Sequence, residues 1–173
     1  ELWTAAADGS SPQRLTSNTL DDSEPAWSPD HGKIAFVRTA VTSRGAQVSS
    51  IFVVGADGRG ERQLDGGSGH SDRSPTWSPD GRRVAFALIE GSATSATAIG
   101  IVGVEDGRLI RVPTGGRVQA PAWSPDGSWI AFSDGDSIDL IHPDGTGTRP
   151  LTKAGSYTDP AWSPDGTRLA VSS

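Results

Sequence analysis

Short apolar runs punctuate the chain at nearly regular intervals, each only two to six residues long. One series is Ile34-Ala35-Phe36, Val84-Ala85-Phe86, Ile130-Ala131-Phe132 and Leu169-Ala170-Val171. A second is Leu2-Trp3, Ile51 to Val54, Ile99 to Val104 and Ile138 to Ile141. Each member of the second series leads into Asp-Gly, at Asp8-Gly9, Asp57-Gly58, Asp106-Gly107 and Asp144-Gly145. A third set follows: Arg14-Leu15-Thr16, Gln63-Leu64, Ile110 to Val112 and Pro150-Leu151-Thr152. Runs this short between turn residues predict β-strands. No window has the period of a long amphipathic helix, and none approaches the roughly 18 to 20 apolar residues of a membrane-spanning helix.

A motif interleaves with these runs. Pro25-Ala26-Trp27-Ser28-Pro29-Asp30 returns at Pro75 to Asp80, Pro121 to Asp126 and Pro160 to Asp165, with Trp positions 50, 46 and 39 residues apart. Such periods suit propeller blades with loops of varying length. Each period holds four strands: A around Trp, B the Ile-Ala-Phe run, C before Asp-Gly, and D of Arg-Leu-Thr type. Ser-Pro-Asp-Gly carries the residue preferences of a type I turn, and its Gly closes an A–B hairpin at positive φ. Asp-Gly does similar work between C and D. Strands apolar on both faces need cover on both, and neighbouring blades supply it. The fold predicted is all-β, a propeller of four-stranded antiparallel blades with four modules present.

The modules span 17–65, 66–112 and 113–152, with a split module made of 153–173 plus 1–16. Pairing of terminal A and B with initial C and D would close a four-blade ring without open edges; the alternative is a fragment of a larger, six-bladed ring. One turn departs from the repeat. Module one has His31 where the others have Gly81, Gly127 and Gly166. Either His31 accepts a strained positive φ at a cost of roughly 1–2 kcal/mol, or Gly32 takes the left-handed position.

Composition narrows the function classes. Apolar residues make up 34% of the chain, with 22 Gly, 12 Pro and 6 Trp, which suits many short strands joined by tight turns. Net charge is -6 and pI about 4.9. Thirteen of fifteen basic residues are Arg, dispersed along the modules rather than gathered, which argues against nucleic-acid binding. With no Cys there are no disulfides and no thiolate chemistry. The chain begins at Glu1, lacks Met and shows no basic-then-apolar leader, as expected of a mature form or a piece of a longer product.

Candidate chemistry is sparse. His31, His70 and His142 fall in loops of different modules without a close ligand pair, so no metal site is expected. No G-x-S-x-G elbow is present, and no catalytic residue or cofactor is assigned. Asp30, Asp80, Asp126 and Asp165 recur at one turn position, as do Asp8, Asp57, Asp106 and Asp144. A residue present in every module serves the module, so these are read as turn residues rather than acid–base pairs or Ca²⁺ ligands. Trp27, Trp77, Trp123 and Trp162 read likewise as wedges between blades, whereas Trp3 and Trp129 break the repeat. Gly55 to Gly60 imitates a phosphate loop, but no helix follows, and a hairpin turn is expected.

What differs between modules carries more information. The D–A connections read Asp21-Asp22-Ser23-Glu24, His70 to Ser74, Arg117 to Ala120, and Ser156 to Asp159. The B–C connections differ in length, from long (Arg38 to Ser50) through intermediate (Glu90 to Thr97) to tight (Asp134 to Asp136). Both sets should share one face around the channel mouth, where loops on a regular scaffold bind. Candidate partner-binding residues are Asp22, Glu24, Asp72, Arg73, Gln119, Tyr157 and Asp159. Acids outnumber bases there by four to one, which favours a cationic protein or peptide segment.

The signature P-x-W-S-P-D-G-x-x-[IV]-A-F, followed by a strand ending in D-G and an R-x-L-T, resembles the TolB-type, WD-repeat-like propeller repeat, and it covers essentially the whole chain in four copies. The resemblance implies a non-enzymatic scaffold, periplasmic or extracellular, that binds a protein or peptide through the D–A and B–C loops. Such repeats also occur in accessory domains of peptidases, so a gating segment of a larger hydrolase is the second reading and a carbohydrate-binding propeller the third. TolB-type rings usually have six blades.

Overall fold

Alternating apolar runs and Gly-bearing turns resolve into fifteen strands, with no helix among the described residues, 1–65, 71–90 and 96–173, of the computed structural model. In chain order they are β1 (Trp3–Thr4), β2 (Gln13–Arg14), β3 (Asp21–Trp27), β4 (Lys33–Val41), β5 (Gln47–Gly55), β6 (Arg62–Gln63), β7 (Arg73–Trp77) and β8 (Arg83–Leu88). There follow β9 (Ala96–Gly103), β10 (Leu109–Trp123), β11 (Ile130–Ser133), β12 (Ile138–Ile141), β13 (Arg149–Pro150), β14 (Thr158–Trp162) and β15 (Leu169–Ser172). All named strand pairs are antiparallel.

Strands β3 to β6 form one four-stranded blade in the expected A-B-C-D order. The next two blades share a strand. Strand β10 runs unbroken through what the sequence suggests is a D strand, a loop and the next A strand, giving one seven-stranded sheet from β7 to β13. Val118 still pairs with Ala96 of β9 after a shift beyond Pro113, so this connection is an irregularity in one strand rather than a loop.

The repeated Asp residues act as turn residues. In each A–B turn, Ser28, Ser78, Ser124 and Ser163 donate to the carboxylate two residues on, at 2.5–2.6 Å. The same carboxylates accept N–H bonds from Gly32, Arg82, Ser128 and Thr167, closing the turn from within. In the C–D turns Asp8, Asp57, Asp106 and Asp144 likewise accept from the N–H two residues later.

Blades pack face to face. Ala35, Val37, Ile51, Val53 and Leu64 of the first full blade meet Trp77, Val84, Phe86 and Val102 of the next. Leu2 and Leu15 meet Ile34, Phe36 and Val54 in the same manner. Trp77 and Trp123 are buried in these seams, while Trp27, with no A strand on its outer side, is 50% exposed.

Closure of the ring is not seen among the described residues. Strand β1 pairs with β2 and β15 with β14 as separate two-stranded sheets, and among the described residues no ladder joins β1 to β15. The half-module at each end is thus a two-stranded hairpin, C–D at the first and A–B at the last.

At the odd turn, His31 itself takes the left-handed position, at φ +57°, beside +67°, +73° and +69° at Gly81, Gly127 and Gly166. Its imidazole is exposed, so nothing offsets the strain. His31→Gly is expected to raise stability by up to about 1 kcal/mol, read as a higher urea midpoint with unchanged m-value. A lowered midpoint would contradict this.

Candidate functional site

All four A strands begin with the same distortion. The A–B register slips between Ser23 and Ala26, Arg73 and Thr76, Gln119 and Ala122, and Thr158 and Ala161. In each slip one non-glycine residue, three before the Trp, sits at positive φ: Glu24 (+51°), Ser74 (+56°), Ala120 (+45°) and Asp159 (+51°). Each precedes a proline, which removes a ladder donor and disfavours the right-handed helical region for its predecessor. The bulge bends the start of each A strand and re-aims its side chains at the mouth of the propeller. The Pro-x-Trp repeat marks these positions, but it gives no sign of their left-handed backbone.

The D–A and B–C connections do share one end of the blades. Asp72 N–H donates to the Ser49 carbonyl, Ser71 N–H to Ile89, and Gly155 and Ser156 N–H to Asp136. The Ser-Pro-Asp and C–D turns meet at the other end, where Ala56 N–H donates to Gly32 and Val104 N–H to Arg82.

The seven candidate residues divide by burial. Asp22 is buried and clamped by Arg38, whose Nε and Nη2 reach its carboxylate at 2.6 and 2.9 Å, with Asn18 Nδ2 at 3.1 Å. Burial works to raise this carboxyl, but the bonds from Arg38, Thr16 and Asn18 outweigh it and hold it below the ordinary range. Arg38 also reaches Glu61 and stacks over Phe36 and Phe52, at 5.2 and 4.5 Å from the ring centres. Asp22 is thus a framework residue here. Glu24 is exposed; its carboxylate accepts the Ser74 N–H at 2.5 Å and lies 3.9 Å from Arg73. Asp159 is exposed and accepts from Thr158 Oγ1. Tyr157 is half-buried against Ala131, Ile138 and Leu140.

Arg73 and Gln119 meet in one groove of about 180 Å³ between the second and third full blades. Arg117 joins them over an apolar floor of Ala87, Ile89 and Val118. Glu24 reaches this cluster through Arg73; the remaining candidates lie elsewhere on the face. Of the other residues singled out, His142 stacks on Trp129 with ring centres 3.7 Å apart and contacts the Ser128 carbonyl through Nδ1, so both are packing residues. Trp3 is 58% exposed. His70 lies outside the described residues.

Asp72 is the anomaly. It is fully buried, and among the described residues neither carboxylate oxygen has a hydrogen-bond partner. It occupies the repeat position of Asp22, five residues before the Trp, but the place of Arg38 is taken by Leu88. Opposite it, Asp65 replaces the threonine of other modules: Ile51 N–H bonds to Asp65 Oδ2 as Leu2 and Ile138 N–H bond to Thr16 and Thr152. Asp65 already accepts from Ile51 N–H and Gln63 Nε2. Burial first, then the Asp65 carboxyl, push Asp72 up to about 9, and Glu90 adds to the shift. The neutral form of Asp72 is therefore the one favoured at neutral pH.

A family model described as the TolB beta propeller domain matches residues 31–173. TolB from Acinetobacter baumannii superposes with a TM-score of 0.77 at 22% identity, covering 98% of this chain and 42% of that one. A putative TolB from Agrobacterium tumefaciens gives 0.74 at 22% identity, covering 98% and 61%. An oligogalacturonate lyase from Vibrio parahaemolyticus gives 0.72 at 15% identity, covering 96% and 49%. The chain thus spans between 42% and 61% of the length of these solved structures. No curated protein sequence matches it.

The buried pair sets a pH dependence. Asp72 titrates near 9 in the fold against an ordinary 3.8, so the folded chain keeps a proton that the unfolded chain releases. Stability is fullest below the ordinary value and declines as pH rises toward the folded one. Asp72→Asn, whose side chain is neutral at every pH, should raise stability by about 1–3 kcal/mol at pH 8. It should change little at pH 4, flattening the profile of urea midpoint against pH. Parallel profiles for the two proteins would show that Asp72 is not the titrating group.

Proposed function

The chain belongs to the TolB β-propeller family, and on that footing we propose that it is a non-enzymatic scaffold binding a protein or peptide segment through its D–A and B–C loop face. The observation that carries this reading is the groove at the mouth, where Arg73, Arg117 and Gln119 surround an apolar floor. An apolar floor with a few polar groups at its rim suits side chains of a peptide segment. The blades hold these residues on bulged strand starts, so the groove is placed by rigid elements rather than by free loops.

Charge enters differently from the expectation. Asp22 is neutralised by Arg38 and Asp72 is buried, so the exposed acids are Glu24 and Asp159, and Arg73 already neighbours Glu24. A cationic segment remains one candidate, now drawn by two acids rather than four. A periplasmic or extracellular setting is proposed from the family.

The test joins crosslinking to binding. A photo-crosslinker at Gln119 is expected to capture a partner in native cells, and one at Thr167, on the opposite face, is not. The purified partner should bind the wild-type chain and lose at least tenfold in affinity to an Arg73→Ala, Gln119→Ala, Asp159→Ala triple variant. Melting of the triple variant should be nearly unchanged, because surface substitutions cost within about 0.5 kcal/mol each. Undiminished binding by the folded triple variant, or capture only from Thr167, rejects the assignment.

A further inference from the structure

Where the first full blade meets the second, a carboxylate crosses the seam. Glu24 of the first accepts the Ser74 N–H of the second at 2.5 Å and lies 3.9 Å from the Arg73 guanidinium. The bulge makes this bond possible. Arg73 pairs with Ala87 and Thr76 with Ala85, so Ser74 falls in the slip between them and its N–H turns to the neighbouring blade instead of the ladder.

The seam between the second and third full blades has the same backbone without the acid. Ala120 is the counterpart of Ser74, three residues before its Trp, at φ +45° beside +56°, and it falls in the same slip between Gln119 and Ala122. Across the seam, in the place of Glu24, stands Ser74, and both residues line the mouth groove. That groove has two guanidiniums, Arg73 from the second blade and Arg117 from the third, and no carboxylate among its lining residues. Among the described residues Arg117 has no acid within 4.0 Å. It lies against Gly135, where a Cβ would stand 3.5 Å from Nη1. The indole tie is missing here as well. Trp77 and Trp162 Nε1 donate to the carbonyls of Ala26 and Ala122 in the preceding blade, at 2.9 and 3.1 Å. Trp123 Nε1, buried at the second seam, has no partner among the described residues.

Guanidiniums over an apolar floor attract a carboxylate more strongly than they do in open water, because the floor excludes water from one side. At about 180 Å³ the groove holds one side chain beside that carboxylate and is too small for a cofactor. We propose that the partner supplies the missing acid. An aspartate or glutamate side chain within the bound segment takes at the second seam the place that Glu24 takes at the first. It accepts from the Ala120 N–H and pairs with Arg73 and Arg117, while an adjacent apolar side chain covers Ala87, Ile89 and Val118. The proposal rests on the reading of this groove as the partner site, and it names the partner's chemistry. Exposed Glu24 and Asp159 stand on the same face, but the groove itself selects an anion.

A random peptide library displayed on phage and selected on the wild-type chain tests it. Enriched sequences should set Asp or Glu next to Leu, Ile, Val or Phe. Synthetic versions with acetylated and amidated ends, which carry no terminal carboxylate, should bind. Replacing the acid by its amide should cost at least tenfold in affinity, and added salt should weaken binding. Arg117→Glu should cost as much as the amide. Ser74→Glu places at the second seam the carboxylate that Glu24 places at the first, and should abolish peptide binding while the chain still melts cooperatively. The amide peptides on the wild-type chain decide the matter should either variant fail to fold. Neutral or basic peptides that lose affinity to Gln119→Ala would keep the groove as a partner site and overturn the anion. Acidic peptides that ignore Arg117→Glu and Ser74→Glu but lose affinity to Gln119→Ala overturn it too. No enrichment, or peptides that ignore every groove substitution, overturns the proposal and the use of the groove together.

Discussion

Contact between the faces of neighbouring blades is the interaction on which the rest of this structure depends. The B strands show it most directly: Ala35, Phe36, Ala85, Phe86, Ala131 and Phe132 are almost wholly removed from water, although each strand has only its two hydrogen-bonded neighbours within its own blade. The repeated Trp measures what a neighbour contributes. Trp77 and Trp123 are 7% and 6% exposed, and Trp27, in the same local sequence, is 50% exposed. The difference is the presence of a preceding blade, and for a side chain of this size it amounts to roughly 2 kcal/mol of apolar burial. A blade does not bury its own Trp; its neighbour does.

That dependence explains why the chain tolerates local strain at so many points. Four non-glycine residues at positive φ begin the A strands, each at a cost of about 1–2 kcal/mol. A distortion met once suggests a special site. Repeated in every module before a proline, it is part of the module, and the seam on either side is what holds it. The bulge turns the strand start toward the mouth, which sets where Glu24, Arg73, Gln119 and Asp159 stand. Function on this face is therefore built on a constraint of the scaffold, with diversity confined to which side chain each bulge carries.

Strand content, blade order and the roles of the repeated Asp and Trp residues were legible in the sequence, because turn chemistry and period are local properties. The candidate face was legible only as a region. Asp22 and Asp72 sit among polar neighbours in connections that look solvated, and nothing nearby in the chain announces their burial. What decides their fate is across the sheet. Arg38 lies sixteen residues from Asp22, and Asp65 meets Asp72 only once β6 has folded beside β5. The clearest available signal was the comparison between modules, with Leu88 standing for Arg38 and Asp65 for Thr16. The unbroken course of β10 was hidden for a related reason: Thr114-Gly115-Gly116 has loop composition, and the pairing of Val118 with Ala96 is a long-range property.

The two buried acids show how one repeat position can be satisfied by unlike means. Asp22 has a cation held in place by Glu61 and two aromatic rings, and its charge state is indifferent to pH through the neutral range. Asp72 has a proton, which a change of pH removes. Loss of that proton would place an uncompensated charge in the interior, which movement toward water would relieve. Asp72 directly precedes Arg73, and its N–H is bonded to Ser49 in the neighbouring blade. Movement of Asp72 toward solvent would break that tie and displace Arg73 at the rim of the groove. Leu88 in place of an arginine thus leaves Asp72 without the cation that Arg38 gives Asp22.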